Sequence, residues 1–337
     1  MTRFAYFCGH EQWHPEELVE HAVMAEEAGF DAVAVSEHFH PWVDDVSAAG
    51  FAFSTIGAMA QATENLAFIT GVTTPLFRFH PAVVAQAAAT LDRLSGGRFT
   101  LGVGTGENIN EGPLGYEFPA YAERNARMTE ALEIMRRLLD GEKLTYDGVH
   151  YRTDRARLYS PPTGPVPILM AAGGPKSATL AGELAQGVIT SVKDPAETRE
   201  KVVGPLHHAA REQGRPGPII LATRWSIFAG SDDEAWEAIY PWRGLRAPGR
   251  LEAVDPADLR ERADEMPREE ILGRYSRVSS AKEILEVYRP LVEDLDADIV
   301  TFQMASLDQP ALIRMLGNEV LPVLRGWART GRLNSHG

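Results

Sequence analysis

His38, within Ser36-Glu37-His38-Phe39-His40-Pro41-Trp42, is the first side chain to weigh for chemistry, because imidazole gains and loses a proton near neutrality. Two roles are open to it. As a general base or acid it needs a hydroxyl or carbonyl to work on and a carboxylate to support it. As half of the H-x-H pair His38-Phe39-His40 it could ligate a metal, since alternate residues of an extended chain share a side. A metal barrel also draws histidines from later segments, and Ala171-Ala172-Gly173-Gly174, Thr190-Ser191 and Gln303-Met304-Ala305-Ser306 contribute none. The acid–base role is therefore favoured, and no metal is expected. Glu11 in His10-Glu11-Gln12-Trp13 and Glu107 in Gly104-Thr105-Gly106-Glu107 supply carboxylates, the second beside glycines that let a ligand come close. Trp13 and Trp42 could wall a planar ligand. In Gly173-Gly174-Pro175-Lys176-Ser177, two glycines, a proline at a helix start and a lysine could cradle a phosphate. Gly102-x-Gly104-x-Gly106 lacks the rest of a dinucleotide fingerprint, and no G-x-S-x-G or P-loop motif occurs.

These segments gain meaning from the elements that must carry them. Short apolar runs predict strands over 3–8, 32–35, 67–70, 99–103, 167–170, 188–189, 219–228 and 298–302. Helical periodicity predicts helices over 15–28, 53–62, 81–94, 120–139, 177–185, 195–213, from 232, and over 310–329. Eight strands alternating with helices predict a (β/α)8 TIM barrel, with an open doubly wound sheet as the alternative. Every candidate above then falls just after a predicted strand, at the rim where barrels place their chemistry. Two stretches exceed the repeat: about 143–158, which alternates like a hairpin around Asp147-Gly148, and about 242–277. They predict one domain over 1–337 with insertions after the fourth and seventh strands.

Composition narrows the partners. The chain has 337 residues and a net charge of −14, which argues against nucleic acid. No run of apolar residues is long enough to predict a membrane span, no signal pattern opens the chain, and Cys8 has no cysteine to pair with, so the cytoplasm is expected.

Together the motifs E-Q-W, S-E-H-F-H-P-W, T-P-L-F-R-F-H-P-A, G-V-G-T-G-E-N-I-N-E and A-A-G-G-P-K-S resemble the deazaflavin-dependent branch of the bacterial luciferase-like superfamily. Within it, the chain is most similar to the glucose-6-phosphate dehydrogenase group that uses coenzyme F420, and it is close to the secondary-alcohol dehydrogenases. The resemblance implies a luciferase-like TIM barrel, usually a homodimer, that moves a hydride from a CH–OH donor to coenzyme F420. An FMN-dependent monooxygenase or reductase is the alternative within the superfamily. Carried onto this sequence, it makes His38 the group that takes the hydroxyl proton and Trp42 the side chain that positions the intermediate. Glu107 handles a proton at the ring, and Glu11 joins them; which of His38 and Glu107 is acid and which base stays open. Glu37 stands for an acid near the cofactor, Thr74, Thr105 and Asn110 contact it, and Gly173, Gly174, Lys176 and Ser177 hold its phosphate tail, with Arg78 a further cation. The Gly71-Val72 bond matches a non-prolyl cis peptide. For the substrate, Thr190, Lys193 and Arg274 match phosphate-binding positions. Glu261 stands where a lysine is expected, between Arg260 and Arg262. A carboxylate there would repel a phosphate, so either an arginine substitutes or the donor is not a sugar phosphate.

Overall fold

The computed structural model describes residues 2–215 and 217–334. Strands β1 (Arg3–Cys8), β2 (Ala32–Val35), β3 (Ala67–Thr70) and β4 (Phe99–Val103) alternate with helices Pro15–Glu27, Ala52–Ala62 and Pro81–Ser95. After helix Tyr121–Leu139 comes a hairpin of β5 (Leu144–Asp147) and β6 (Arg152–Ala156), and then β7 (Ile168–Ala171), β8 (Gly187–Ser191), β9 (Ile219–Phe228), β10 (Ser276–Val278) and β11 (Ile299–Ala305). Eight of these close a parallel barrel in the order β1-β2-β3-β4-β7-β8-β9-β11, with β11 returning to β1. The open-sheet alternative is excluded by the β8–β9 and β11–β1 pairings.

Alternation along each strand divides the apolar residues between two regions. Phe4, Tyr6 and Cys8 of β1 pack outward with Leu18, Val33 and the helices, while Ala5 and Phe7 join Ala34, Ile69, Leu169 and Leu221 inside the barrel. Strands lie so close at two points that only glycine fits. A Cβ on Gly102 would stand 1.9 Å from the Thr70 carbonyl oxygen, and one on Gly187 would stand 2.0 Å from that of Ile219. Gly29, at φ +86°, supplies the left-handed stop expected after the first helix.

The first predicted insertion is the β5–β6 hairpin. The second stretch, 242–277, runs from a 3₁₀ turn over Tyr240–Arg246 through helices Pro256–Asp264 and Arg268–Leu272 to β10, which pairs in parallel with Ser226–Phe228 of β9 beside the closed barrel. A helix over Ala281–Glu293 then fills a stretch for which the pattern predicted nothing; Pro290 interrupts its sequence signal, while Ile284, Tyr288, Leu291 and Val292 are buried at helical spacing. Among the described residues no helix is long and apolar enough to cross a membrane.

Candidate active site

The loop after β2 turns His38 toward a carboxylate from the loop after β1. His38 Nε2 lies 3.3 Å from Glu11 Oε1, and its other nitrogen, Nδ1, is 3.3 Å from Asn110 Nδ2 and 3.2 Å from the His40 carbonyl. A neutral ring that donates from Nε2 to Glu11 and accepts from Asn110 satisfies both sides; a protonated ring donates to Glu11 and His40 instead. Trp42 meets the imidazole edge-on at 5.0 Å between centroids. Glu11 is 2 % exposed, and its second oxygen accepts a 2.5 Å hydrogen bond from Ser36 Oγ. Ser36 in turn accepts from the His10 amide, while the His10 ring is pinned between the Ser36 carbonyl at 2.8 Å and Thr55 Oγ1 at 2.9 Å. Burial pushes the His10 imidazole below its usual range, and the carboxylates around it oppose that only partly. The H-x-H pair does not act together: His40 Nδ1 turns away to the Val254 carbonyl at 3.2 Å.

Beside this pair lies a cleft of about 270 Å³, lined by Glu37, His38, Gly71, Val72, Thr74, Gly104, Thr105, Gly106, Glu107, Asn110 and Ala171. The Gly71-Val72 peptide is cis, as the resemblance implies. Glu37 reaches the cleft with both oxygens engaged, one by Thr73 Oγ1 at 2.9 Å and one by Arg78. Arg78 also binds Glu111 at 2.6 Å, so this cation is consumed by two buried carboxylates and is not free for a coenzyme tail, contrary to expectation. Burial raises the Glu111 carboxyl above its usual range, and Arg78 opposes the shift. Asn110 holds the catalytic loop by accepting the Phe39 amide at 2.8 Å. Further along the rim, nothing lies within 4 Å of a Cβ built on Gly173 or Gly174, and Lys176 stands exposed at the start of helix Pro175–Leu184. Ser177 Oγ donates to the Gly174 carbonyl within that turn.

A second pocket, about 330 Å³, opens where β9 changes partners. Pairing of β8 with β9 ends at Ser191–Thr223, and pairing of β10 with β9 begins at Ser276–Ser226. Lys193 and Arg274 line this fork together with Arg224 and Arg246, which the sequence did not single out. Among the described residues no carboxylate lines it. Arg246 lies over the rings of Tyr275 at 4.6 Å and Trp225 at 5.4 Å, and both its Nε and the Tyr275 hydroxyl are buried. Arg274 donates to Glu270 at 2.6 Å and to the Arg246 carbonyl at 3.0 Å. Thr190 is buried one residue short of the lining. Glu261 is corrected too: it points to solvent with its side chain 70 % exposed, and neither it nor Arg260 or Arg262 lines the pocket.

The insertion also reaches the first site. Arg250 forms an ion pair with Glu107 and lies 5.5 Å from the Trp42 ring centroid. Glu11, His38, Trp42, Glu107, Asn110 and Glu37 thus gather in one place, with Lys193 and Arg274 in the neighbouring fork. Arg250 and Arg246 were missed because they lie in a segment whose motif content is a plain scatter of charge, and Arg224 because it stands inside a predicted strand and not just past one.

The luciferase-like monooxygenase family model matches residues 2–298. The chain is 38 % identical over 328 residues to an F420-dependent glucose-6-phosphate dehydrogenase of Microbacterium testaceum, covering 96 % of this chain and 97 % of that one. It is 36 % identical over 319 residues to an F420-dependent hydroxymycolic acid dehydrogenase of Mycobacterium tuberculosis, covering 94 % and 86 %. An F420-dependent secondary alcohol dehydrogenase, solved in complex with an F420-acetone adduct, superposes with a TM-score of 0.89 at 31 % identity over 96 % of this chain and 99 % of that one.

Proposed function

The chain belongs to the luciferase-like monooxygenase family, and we propose that its site makes it a coenzyme F420-dependent dehydrogenase acting on CH–OH donors. The observation that carries this is the pairing of His38 with the buried Glu11 carboxylate at the edge of a cleft lined in part by Gly71, Gly104 and Gly106. The cleft suits the coenzyme. A Cβ on Gly104 would meet Val72 at 2.7 Å and one on Gly106 would meet Thr74 at 3.0 Å, so the walls are as flat as the backbone permits. Thr74, Thr105 and Asn110 would hold a ring there, with Glu37 behind it. The open Gly173-Gly174 turn, Ser177 and Lys176 at a helix N-terminus suit a phosphate tail.

When bound, coenzyme F420 supplies the hydride acceptor that a CH–OH donor requires. His38 then removes the hydroxyl proton, and the Glu11 carboxylate steadies the imidazolium that results. Ser36 holds Glu11 by its outer oxygen, so the inner one stays on His38. Trp42 fixes the ring plane of His38, and its indole N–H is buried with no protein partner among the described residues. Glu107 is the second group able to hold or move a proton in the cleft.

The fork pocket supports a donor with an anionic end, such as a sugar phosphate, over a plain secondary alcohol: Lys193, Arg224, Arg246 and Arg274 would hold the anion, with Thr190 beneath the entry. The solvent-facing Glu261 removes the repulsion that the sequence suggested. We infer a cytoplasmic homodimer in which a second copy covers the apolar groove between helices Ala52–Ala62 and Pro81–Ser95, where Phe51, Val83 and Leu94 stand exposed. The decisive experiment mixes purified protein and oxidised F420 with glucose 6-phosphate, other sugar phosphates or 2-propanol. Loss of the oxidised-coenzyme absorbance, fastest with phosphorylated donors, is expected. No bleaching with any donor and no F420 binding would sink the reading, and tight binding of FMN in its place would move the protein to the monooxygenases.

A further inference from the structure

Glu107 opens the short helix Asn108–Glu111 from the N-cap position, yet its side chain accepts no hydrogen bond from that helix. It is held from elsewhere. Oε1 is taken by Arg250 Nη1, both side chains are 30 % exposed, and no other protein partner meets Oε2 among the described contacts. Ion pairs between mobile side chains on open surfaces contribute little, because ordering two long side chains offsets the attraction. Here that ordering is already imposed. Just past Arg250 the segment is tied to the two loops that carry Glu107 and His38: Asn108 Nδ2 donates to the Glu252 carbonyl at 2.8 Å, and His40 Nδ1 meets the Val254 carbonyl at 3.2 Å. Val254 covers Gly112 so closely that a Cβ there would stand 2.9 Å from Val254 Cγ2. At the base of the same insertion, Arg243, fully buried, binds Asp45 and Asp264 at 2.7 Å each, and a Cβ on Gly244 would lie 2.1 Å from the Trp42 carbonyl oxygen. The Trp42 ring beneath the Arg250 guanidinium completes its seat.

We propose that Arg250 is a positioning residue of the active site: delivered by the insertion, it fixes the Glu107 carboxylate by one oxygen and leaves the other for the bound ligand, which makes the insertion part of the proton-handling assembly as well as the substrate pocket. The inference rests on the dehydrogenase reading for its catalytic consequence, while the coupling between the two residues stands apart from it.

The test compares wild type, R250Q, E107Q, the double variant and R250K. With F420 and the best donor, R250Q is expected to lower kcat by about 10- to 100-fold with little change in KM. It should add less than about twofold loss in the E107Q background, and R250K should recover part of the rate. F420 affinity, read by fluorescence quenching, should fall in R250Q only where E107Q also lowers it. Losses that multiply in the double variant, or a rise confined to KM, would overturn the proposal, the latter by making Arg250 a substrate cation. If wild type shows no F420 turnover, the dehydrogenase reading fails by itself. The pair is then judged from thermal midpoints of the four ligand-free proteins at the double-mutant corners, where additive shifts would refute the coupling.

Discussion

At the scale of single residues, the site depends on how few states each polar group is allowed. Both nitrogens of His38 face a partner, and Glu11 has one oxygen for His38 and one for Ser36, so a proton taken up by the ring is shared between the Glu11 carboxylate and the His40 carbonyl. A His38→Ala variant should lose about 10²- to 10⁴-fold in kcat while F420 affinity, measured by fluorescence, stays within a few fold; unchanged turnover would remove His38 from the chemistry. A different residue-scale prediction concerns pH. His10, His21, His80 and His207 all have imidazoles pushed down by burial. Below the ordinary histidine range of about 6.5, the unfolded chain therefore takes up protons that the folded chain refuses, and stability falls as pH falls. The Glu111 carboxyl, raised by burial, opposes this only near the carboxylate range. The thermal midpoint should drop between about pH 7 and 5.5, and His21→Gln should flatten that slope; an equally steep profile in the variant would exclude His21 as a contributor. His38, Glu11, Trp42 and Glu107 were legible because each stands in a short motif just past a strand. Arg250 was not, since its partner lies 143 residues earlier and only the fold brings them together.

At the scale of elements, the first four barrel strands and β9 were legible to the residue and β7 to within one, because they are apolar runs bounded by turn residues, while β8 was read only at its centre and β11 three residues short of its end. The helix at Ala281–Glu293 and strand β10 were not. Ile284, Tyr288, Leu291 and Val292 give the first a helical spacing that Pro290 disguises, while the second has only three residues and exists because Ser226–Phe228 offers it an edge. Backbone contacts set the tolerance of these elements. Gly187→Ala would force a methyl against the Ile219 carbonyl and part β8 from β9, costing about 1–3 kcal/mol or more in chemical unfolding. Arg243→Ala would strand Asp45 and Asp264 without their cation and loosen the insertion; with both carboxylates partly exposed, about 2 kcal/mol is expected, below the cost of breaking a fully buried pair. A melt indistinguishable from wild type would show that the insertion is held by its apolar packing alone.

At the scale of the whole molecule, a chain with a net charge of −14 concentrates cations where the proposed substrate would enter, while Arg78 and Arg243 spend theirs on internal carboxylates. Lys193→Ala and Arg246→Ala should each raise KM for a phosphorylated donor about tenfold or more and leave 2-propanol turnover nearly unchanged; equal effects on both donors would contradict an anion subsite. Light scattering should give twice the chain mass at micromolar concentration, and Val83→Glu in the exposed groove should halve it. The fork in β9 has a consequence for descent and for engineering. Apart from Thr190 and Lys193 at the end of β8, the groups that would choose the donor hang from one strand end and the excursion beyond it, so a lineage, or a protein engineer, could exchange that excursion as a cassette while the barrel and its histidine stay untouched. The exchange carries a condition: a donor cassette without an arginine able to reach Glu107 would import a new specificity together with a slower enzyme, and a hybrid given that arginine should recover its pace.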